Sequence, residues 1–486
     1  MFVRSLFLAC ILFLFGFNQS LFAQATADEI GLTALRHRLG AASPTGDGVA
    51  VMLVEGLTSA NSYMPDRTTP ELANKNITDR SSNGSNSTHA TSVASIGFGS
   101  HTGIAPGVSR IDVFKVFDLG DLNTDWLGGS YLRFGGGLPA VETELRVQNH
   151  SWAAGATFDA STVEVMRRLD YAVHRDNVVA VAGIANAKGS AVPPMLGSTY
   201  NAIIVGNSNG NSSHGPTGGE IAGRSKPDIV GPYGVSSYST PVVSGCAALL
   251  VQTADLLGNP NRGRTETIKA ILLSGATKDV FAGLANPWNR VDNGQFVEPL
   301  DRRFGAGLVN INNSHLIISS SEQNGTDLIM DSPIGWDWET LTETDNIRRY
   351  FFELGNVSDV TFSATATWLR RIHPTGAGAN LFETSEATLS TIELRLFEAN
   401  QDMSLGNLID TSLSPIDNVQ HIFRTDLPGN QRYALEVRLA GLPTGQLSEN
   451  FSVAWFTSSV PVPEPSTFAV CLFCVIVVLA RRTIQR

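Results

Sequence analysis

The segment Ser237-Tyr-Ser-Thr-Pro241-Val-Val-Ser-Gly245-Cys-Ala-Ala-Leu-Leu250 is the most informative part of this chain. A serine lies four residues before a proline, and the small and apolar residues that follow are typical of a buried helix. A serine at the start of a helix lies beside unpaired backbone N–H groups and the positive end of the helix dipole, which favour a developing oxyanion. Serine and proline also begin helices for capping reasons alone. The segment therefore predicts either a nucleophile or a cap at Ser237.

Two further blocks lie upstream of this serine. The first is an apolar segment that ends in an acid, Val49-Ala-Val-Met-Leu-Val-Glu55, and the second is Ser87-Thr-His89-Ala-Thr-Ser-Val-Ala-Ser95. Acid, histidine and serine in this chain order resemble the subtilase family of serine proteases. The resemblance covers about residues 45–312. It implies a subtilisin-like fold and hydrolysis of peptide bonds by a catalytic triad.

Each member of the triad can be placed by its motif. The family's Gly-Thr-Ser-Met-Ala-Ser-Pro corresponds here to Val235-Ser-Ser237-Tyr-Ser-Thr-Pro241, which lacks the leading glycine and the methionine. The offset from the proline selects Ser237 over its rivals Ser236 and Ser239. His89 takes the place of the general base, a role that suits a side chain with a pKa near neutrality. Ser87 or Thr88 would cap its helix, and the alternative is a surface histidine in a polar loop.

Glu55 departs from the family, which has an aspartate at the end of this strand. Glutamate carries the same charge but has one more methylene, and a misplacement of about 1 Å can reduce the rate ~10²-fold. The sequence therefore leaves two alternatives for Glu55. It either orients His89 or marks a degenerate, inactive site.

The remaining site residues follow two apolar segments. Val181-Ala-Gly183 precedes Asn186, which resembles the family's oxyanion-hole asparagine displaced by two residues; the alternative is a turn asparagine. Asn149-His-Ser151-Trp152 resembles the family's Asn-x-Ser-x-Gly strand, whose backbone pairs with the substrate. Ser151 and Trp152 are thus candidate substrate-binding residues, although Trp152 can equally be part of the core.

The hydrophobic pattern divides the chain in two. Apolar strands alternate with amphipathic helices over residues 45–312, which predicts an α/β domain with a mostly parallel sheet and helices on both faces. Short alternating segments separated by Gly, Pro, Asn and Asp follow over residues 325–458 and predict a β-sandwich. By position and pattern, this second domain resembles the pre-peptidase C-terminal and P domains that follow secreted subtilases.

Both ends of the chain carry targeting signals. Residues 1–25 have the apolar run and the Ala23-Gln-Ala25 cleavage site of a signal peptide. Residues 461–486 combine Val462-Pro-Glu-Pro465, a hydrophobic segment at 468–480 and terminal arginines, and resemble the PEP-CTERM sorting tail of Gram-negative bacteria. That resemblance implies an exosortase-type partner, and the alternative is an ordinary membrane anchor. Either way we expect an exported protein, on the cell surface, in the outer envelope or outside the cell, with membrane contact through the tail.

Charge, cysteine content and histidine spacing argue against nucleic-acid binding, an internal disulfide and a metal site. The net charge of −11 and the absence of a basic run argue against a nucleic-acid partner. Only Cys246 of the four cysteines lies outside the two terminal signals, which excludes an internal disulfide. The histidines show no metal-type spacing, so no metal site and no certain cofactor is predicted. Calcium remains a candidate, with Asp121, Asp125 and Glu142 available as loop ligands.

These observations together predict a secreted or surface-displayed serine endopeptidase that acts on protein or peptide substrates. Ser237 would be the nucleophile, with His89 as general base and Glu55 in place of the usual aspartate. The alternative is a catalytically inactive subtilase fold that serves as a surface binding or scaffold protein. Three departures around one site motivate that alternative: Glu55, the missing glycine before the Ser236-Ser237 pair, and the displaced Asn186.

Overall fold

The structure is a computed structural model that describes residues 24–458, apart from residues 60, 118–122, 155–157, 279–280, 282–286, 327, 358–359 and 383–385. All but the last two residues of the predicted signal peptide (1–25), and the whole of the predicted sorting tail (461–486) with its hydrophobic segment at 468–480, lie outside the described residues. The export signal and the tail therefore stay predictions.

The first domain is built on a seven-stranded parallel sheet. Its strands are β1 (Ala50–Glu55), β3 (Asn76–Asp79), β5 (Arg110–Lys115), β6 (Val147–His150), β7 (Val179–Gly183), β8 (Ile203–Asn207) and β11 (Ile229–Gly231). They lie in the order β11-β8-β7-β6-β1-β5-β3. Four short strands lie outside this sheet: β2 (Ser62–Met64), β4 (Ser85–Asn86), β9 (Gly215–Pro216) and β10 (Ser225–Lys226).

Helices pack on both faces of the sheet. They are α1 (Leu32–Leu39), α2 (Thr88–Phe98), α3 (Ala160–Asp176), α4 (Ser236–Leu257), α5 (Thr265–Gly275) and α6 (Ile311–Ser319). Successive residues of β1 point to opposite sides, so that Val51 and Leu53 enter the core with α4, while Met52 and Val54 enter the core with α3. The predicted α/β class with helices on both faces is confirmed.

Helix α4 runs through the first of these cores. It is long and apolar enough to cross a membrane by length and composition, but most of it is buried inside the domain. Cys246 is fully buried in it, as expected for a small core residue. The segment that begins at Ser237 therefore forms the central helix of the domain.

The second domain consists mainly of two sheets that enclose their own core. Its strands are β12 (Met330–Asp331), β13 (Gly335–Thr342), β14 (Ile347–Glu353), β15 (Val360–Trp368), β16 (Arg371–His373), β17 (Glu386–Thr388), β18 (Thr391–Ala399), β19 (Leu405–Ser412), β20 (Val419–Leu427), β21 (Arg432–Gly441) and β22 (Ser448–Thr457). Strands β12-β14-β21-β18-β19 form one sheet and β13-β22-β15-β20 form the other, with a separate pair β16-β17. Apolar side chains from both sheets fill the space between them, as in a β-sandwich.

The four-stranded sheet of the sandwich packs against α5. Trp336 and Ala454 are fully buried and belong to the core of the first domain rather than to that of the sandwich. Ser274 donates a hydrogen bond to the carbonyl oxygen of Ala454 at 2.8 Å, and Thr367 donates one to that of Glu266 at 2.7 Å. The two domains therefore share an interface that is continuous with the core of the α/β domain.

Candidate active site

Glu55 and His89 form the buried half of the candidate site. Glu55 is the last residue of β1, and its side chain is fully buried. His89 is the second residue of α2, whose first turn is capped by the side chain of Ser87 through the N–H of Ala90. Nδ1 of His89 lies 2.7 Å from Oε2 of Glu55. The sheet and the helix thus bring the predicted acid and the predicted base into direct contact.

The environment of this pair sets its proton affinity. The hydrogen bond to Glu55 raises the pKa of His89, against the opposing effect of partial burial. Burial raises the pKa of Glu55, and the contact with His89 works in the opposite direction. The second carboxylate oxygen, Oε1, is buried without a hydrogen-bond partner among the described residues. His89 is therefore the one group in the described part of the chain that the Glu55 side chain hydrogen-bonds.

Two of the three candidate serines use their hydroxyl groups in hydrogen bonds to the backbone. The buried hydroxyl of Ser236 donates to the carbonyl oxygen of Ile184, and the buried hydroxyl of Ser239 donates to that of Tyr233 at 3.3 Å. Ser237 is half-buried, and its hydroxyl has no hydrogen bond within the part of the chain that the structure describes, His89 included. The contact between nucleophile and base is often longer before substrate binds. The geometry favours Ser237 over both rivals.

The first turn of α4 leaves one backbone donor unused. The N–H of Ser236 bonds to Asn186, and those of Tyr238 and Ser239 bond to the carbonyl oxygen of Val235 at 3.2 and 3.1 Å. The N–H of Ser237 has no acceptor among the described residues. This N–H lies at the positive end of a 22-residue helix, which is where an oxyanion is stabilised.

Asn186 lies beside the same turn and has a fixed orientation. Its Oδ1 accepts the N–H of Ser236 at 2.6 Å. Because a backbone N–H requires an oxygen opposite it, the Nδ2 donor of Asn186 lies on the other branch of the side chain. Asn186 is exposed and follows β7. The displaced asparagine therefore reaches the start of α4 through its amide oxygen.

Glycines allow these elements to approach closely. A Cβ on Gly97 of α2 would lie 3.1 Å from the carbonyl oxygen of Pro241 in α4, and one on Gly245 would lie 2.6 Å from Cβ of Ile104. A Cβ on Gly183, at the end of β7, would lie 2.7 Å from Oγ1 of Thr240. Side chains at these positions would separate α2, α4 and β7. The Gly245 that follows the nucleophile motif is thus required by the close approach of Ile104, which lies in the loop after α2.

Ser151 and Trp152 follow β6, between the strands that carry Glu55 and precede Asn186. The hydroxyl of Ser151 accepts a hydrogen bond from Nδ2 of Asn149 at 3.0 Å, and Ser244 of α4 donates to Oδ1 of that amide at 2.9 Å. Trp152 is half-buried and packs edge-on against Trp126 with ring centroids 6.0 Å apart. Both residues therefore lie just beyond the carboxyl end of β6, and Trp152 also packs against the core.

One neighbour of the pair was not predicted. The ring of Tyr238 stacks on the imidazole of His89, with centroids 6.0 Å apart and an interplanar angle of 27°. This tyrosine replaces the methionine of the family motif, so its position next to the nucleophile was the signal that could have identified it. The stacking places the first turn of α4 directly beside the base.

The candidate calcium ligands are described only in part. Asp121 lies outside the described residues, Glu142 is exposed, and Oδ1 of Asp125 accepts the N–H of Gly128 within its own loop. Within the described ranges, no group of three or more His, Cys, Asp or Glu side chains could hold a metal ion. Calcium binding stays a prediction.

Comparison with known proteins identifies a family match. The model of the Subtilase family matches residues 57–307, more than half of the chain, a range that includes His89 and Ser237 and begins just after Glu55. No curated protein sequence matches the chain.

Several solved structures are similar at low identity. The prenylagaramide maturation protease PagA is 23% identical over 58% of this chain and 97% of its own, with a TM-score of 0.38. A protease from Pseudoalteromonas arctica is 19% identical over 57% of this chain and 92% of its own, with a TM-score of 0.38. A cold-adapted subtilisin-like serine proteinase is 19% identical over 50% of this chain and 87% of its own, with a TM-score of 0.33. On the family match, the chain belongs to the subtilase family of serine proteases.

Proposed function

We propose that this chain is an exported serine endopeptidase in which Glu55 takes the place of the aspartate in a Ser/His/acid triad. The observation that carries the proposal is the 2.7 Å contact between Nδ1 of His89 and Oε2 of Glu55. A carboxylate accepts a hydrogen bond, so Nδ1 carries the proton when the imidazole is neutral. Nε2 is then left with a lone pair, as a general base requires.

The chemistry follows from this arrangement. Nε2 of His89 takes the proton of the Ser237 hydroxyl while Oγ forms a bond to the carbonyl carbon of the peptide. The carbonyl oxygen becomes an oxyanion, which accepts hydrogen bonds from the N–H of Ser237 and from Nδ2 of Asn186. The C–N bond then breaks, and the imidazolium gives its proton to the leaving amine. Water hydrolyses the resulting ester by the same steps in reverse.

The glutamate fits this scheme because the acid has two tasks, to hold the ring and to stabilise its positive charge. The hydrogen bond fulfils the first task, and the raised pKa of His89 is the sign of the second. The buried Oε1 without a partner leaves the carboxylate no competing hydrogen bond among the described residues. The extra methylene is therefore compatible with an active triad.

Substrate and location complete the proposal. The backbone at Ser151 and Trp152 would pair with an extended protein or peptide substrate next to the triad. The signal peptide and the PEP-CTERM-like tail would direct the protein to the cell surface of a Gram-negative bacterium, where an exosortase-type enzyme would process the tail. Both parts rest on sequence patterns.

Labelling with a fluorophosphonate tests the activity, since this reagent reacts with activated serines. We expect labelling of the folded protein at Ser237, and none in Ser237→Ala. Ser239→Ala is the matched control and should still be labelled at Ser237, because the hydroxyl it removes bonds to Tyr233 and not to His89. A well-folded protein that is not labelled, with or without calcium, would overturn the proposal in favour of an inactive surface scaffold.

A further inference from the structure

The contact between His89 and Tyr238 lies within a short chain of packed residues. Tyr233 also contacts Tyr238, edge to face, with centroids 6.0 Å apart and an interplanar angle of 77°. Tyr233 is itself tied to α4, since its N–H donates to Oγ of Ser239 at 3.2 Å and its carbonyl oxygen accepts from that hydroxyl. Tyr238 therefore contacts two rings, the imidazole of His89 and a tyrosine that is itself tied to α4.

The imidazole needs this second contact. One hydrogen bond at Nδ1 restrains the ring only weakly, because a turn of the ring about its side-chain torsions lengthens and breaks that bond. Glutamate has one more rotatable bond than aspartate, so the carboxylate at this position is also less restrained. The remaining Oε1 makes no hydrogen bond in the described part of the chain that would restrain it further. Rotation of the ring would move Nε2 away from Ser237.

We infer that Tyr238 is a positioning residue that holds the plane of the His89 imidazole, and so offsets the looser restraint that Glu55 provides. Stacked aromatic rings at centroid distances of about 4.5–7 Å attract each other, and the tyrosine ring face also favours a positively charged imidazolium. The inference rests on the proposed function for its catalytic meaning. It goes beyond that function because it assigns a role to a residue that the triad does not include.

The test compares three side chains at position 238. Tyr238→Phe keeps the ring and loses the hydroxyl, whereas Tyr238→Met keeps an apolar side chain but loses the flat face. We expect Phe to label with fluorophosphonate within about twofold of the wild-type rate, and Met about tenfold more slowly, which is the size of one aromatic contact. With Met, the midpoint of the acid limb of the labelling rate should also fall, because a ring that turns loses its hydrogen bond to Glu55.

A second measurement does not depend on catalysis. The proton on Nδ1 of His89 gives a downfield NMR signal while it is hydrogen-bonded to Glu55. We expect this signal in the wild type and in Tyr238→Phe, and its loss or broadening in a folded Tyr238→Met. If the wild type is not labelled, the proposed function fails, and the NMR comparison still decides the positioning role. An unchanged signal, rate and pH midpoint in Tyr238→Met would overturn the inference.

Discussion

Nδ1 of His89 and Oε2 of Glu55 are 2.7 Å apart, which is the length of a charge-assisted hydrogen bond. The family has an aspartate at this position, so a shorter side chain normally spans the gap. Here β1 ends at Glu55, in register with Lys115 at the end of β5, and the carboxylate reaches the imidazole from there. The side chain of Glu55 therefore spans the gap between the end of β1 and the start of α2.

Shortening this acid should impair the enzyme. Glu55→Asp withdraws the carboxylate by one C–C bond, about 1.5 Å, and opens the hydrogen bond to His89. We expect kcat to fall about 10²-fold, the effect of a misplacement near 1 Å, with little change in KM. Steady-state kinetics on a peptide substrate measures this.

The control is Glu55→Gln, which keeps the length and removes the charge. Its amide has no carboxylate to stabilise the imidazolium and can bond the ring in the wrong tautomer, so kcat should fall by about 10⁴. A gain of activity in Glu55→Asp would contradict the prediction and show a site still built for aspartate.

The pH profile follows from the raised pKa of His89. The hydrogen bond to Glu55 stabilises the imidazolium and moves its pKa above the ordinary 6.5. Nε2 can accept a proton only when the ring is neutral, so activity is lost as the pH falls through this raised value. We expect the acid limb of kcat/KM to have its midpoint above 6.5. Glu55→Gln should move the midpoint down, and a wild-type midpoint at or below the ordinary value would refute the coupling.

Asn186 should have two separable roles. Asn186→Ala removes the Nδ2 donor and should lower kcat by about 10²–10³. It also removes the acceptor for the N–H of Ser236, which should cost about 0.5–2 kcal/mol of stability, as the loss of a helix cap does. Asn186→Asp keeps the acceptor, so it should unfold near the wild-type temperature while kcat falls at least as far. Equal losses of thermal stability in both variants would contradict the capping role.

The fold was largely predictable because its strands and helices have strong periodic patterns. The apolar segment that ends in Glu55 matches β1, which spans Ala50–Glu55, and the buried helix predicted after Ser237 is α4. The packing of the sandwich on α5 could not be predicted, because alternation shows that a face is buried but not what covers it.

The contacts within the site were less predictable than its members. Motif and chain order singled out Glu55, His89 and Ser237, and the structure brings the first two together and places the third at the start of α4. The reach of Glu55, by contrast, depends on the spacing of two backbones that are far apart in sequence. The stacking of Tyr238 on the imidazole is equally a product of the tertiary fold. Neither the reach of Glu55 nor the stacking of Tyr238 can be predicted from the local sequence.

A buried acid in the sandwich should make stability depend on pH. Asp337 is 2% exposed, and burial, together with the negative charges of Glu339 and Glu322, raises its pKa to about 8. Its oxygens accept hydrogen bonds from Tyr350 at 2.8 Å and from the N–H of Trp338 at 2.9 Å. The folded protein thus holds a proton that the unfolded chain releases near its ordinary value of 3.8. This group's contribution to stability therefore falls as the pH rises from 3.8 to about 8.

Asp337→Asn should remove the loss of stability that the ionisation of Asp337 causes as the pH rises. The amide is neutral, keeps one acceptor, and can donate to the hydroxyl of Tyr350, which accepts as well as donates. We expect a melting temperature a few degrees above wild type at pH 8 and near wild type at pH 4. Each kcal/mol of unfolding free energy corresponds to about 2–4 °C in melting temperature. Asp402→Asn is the control, since it removes the same charge from an exposed loop where the pKa is lowered by Ser404. If both variants shift the melting temperature alike at pH 8, the effect is one of net charge and the buried proton of Asp337 is refuted.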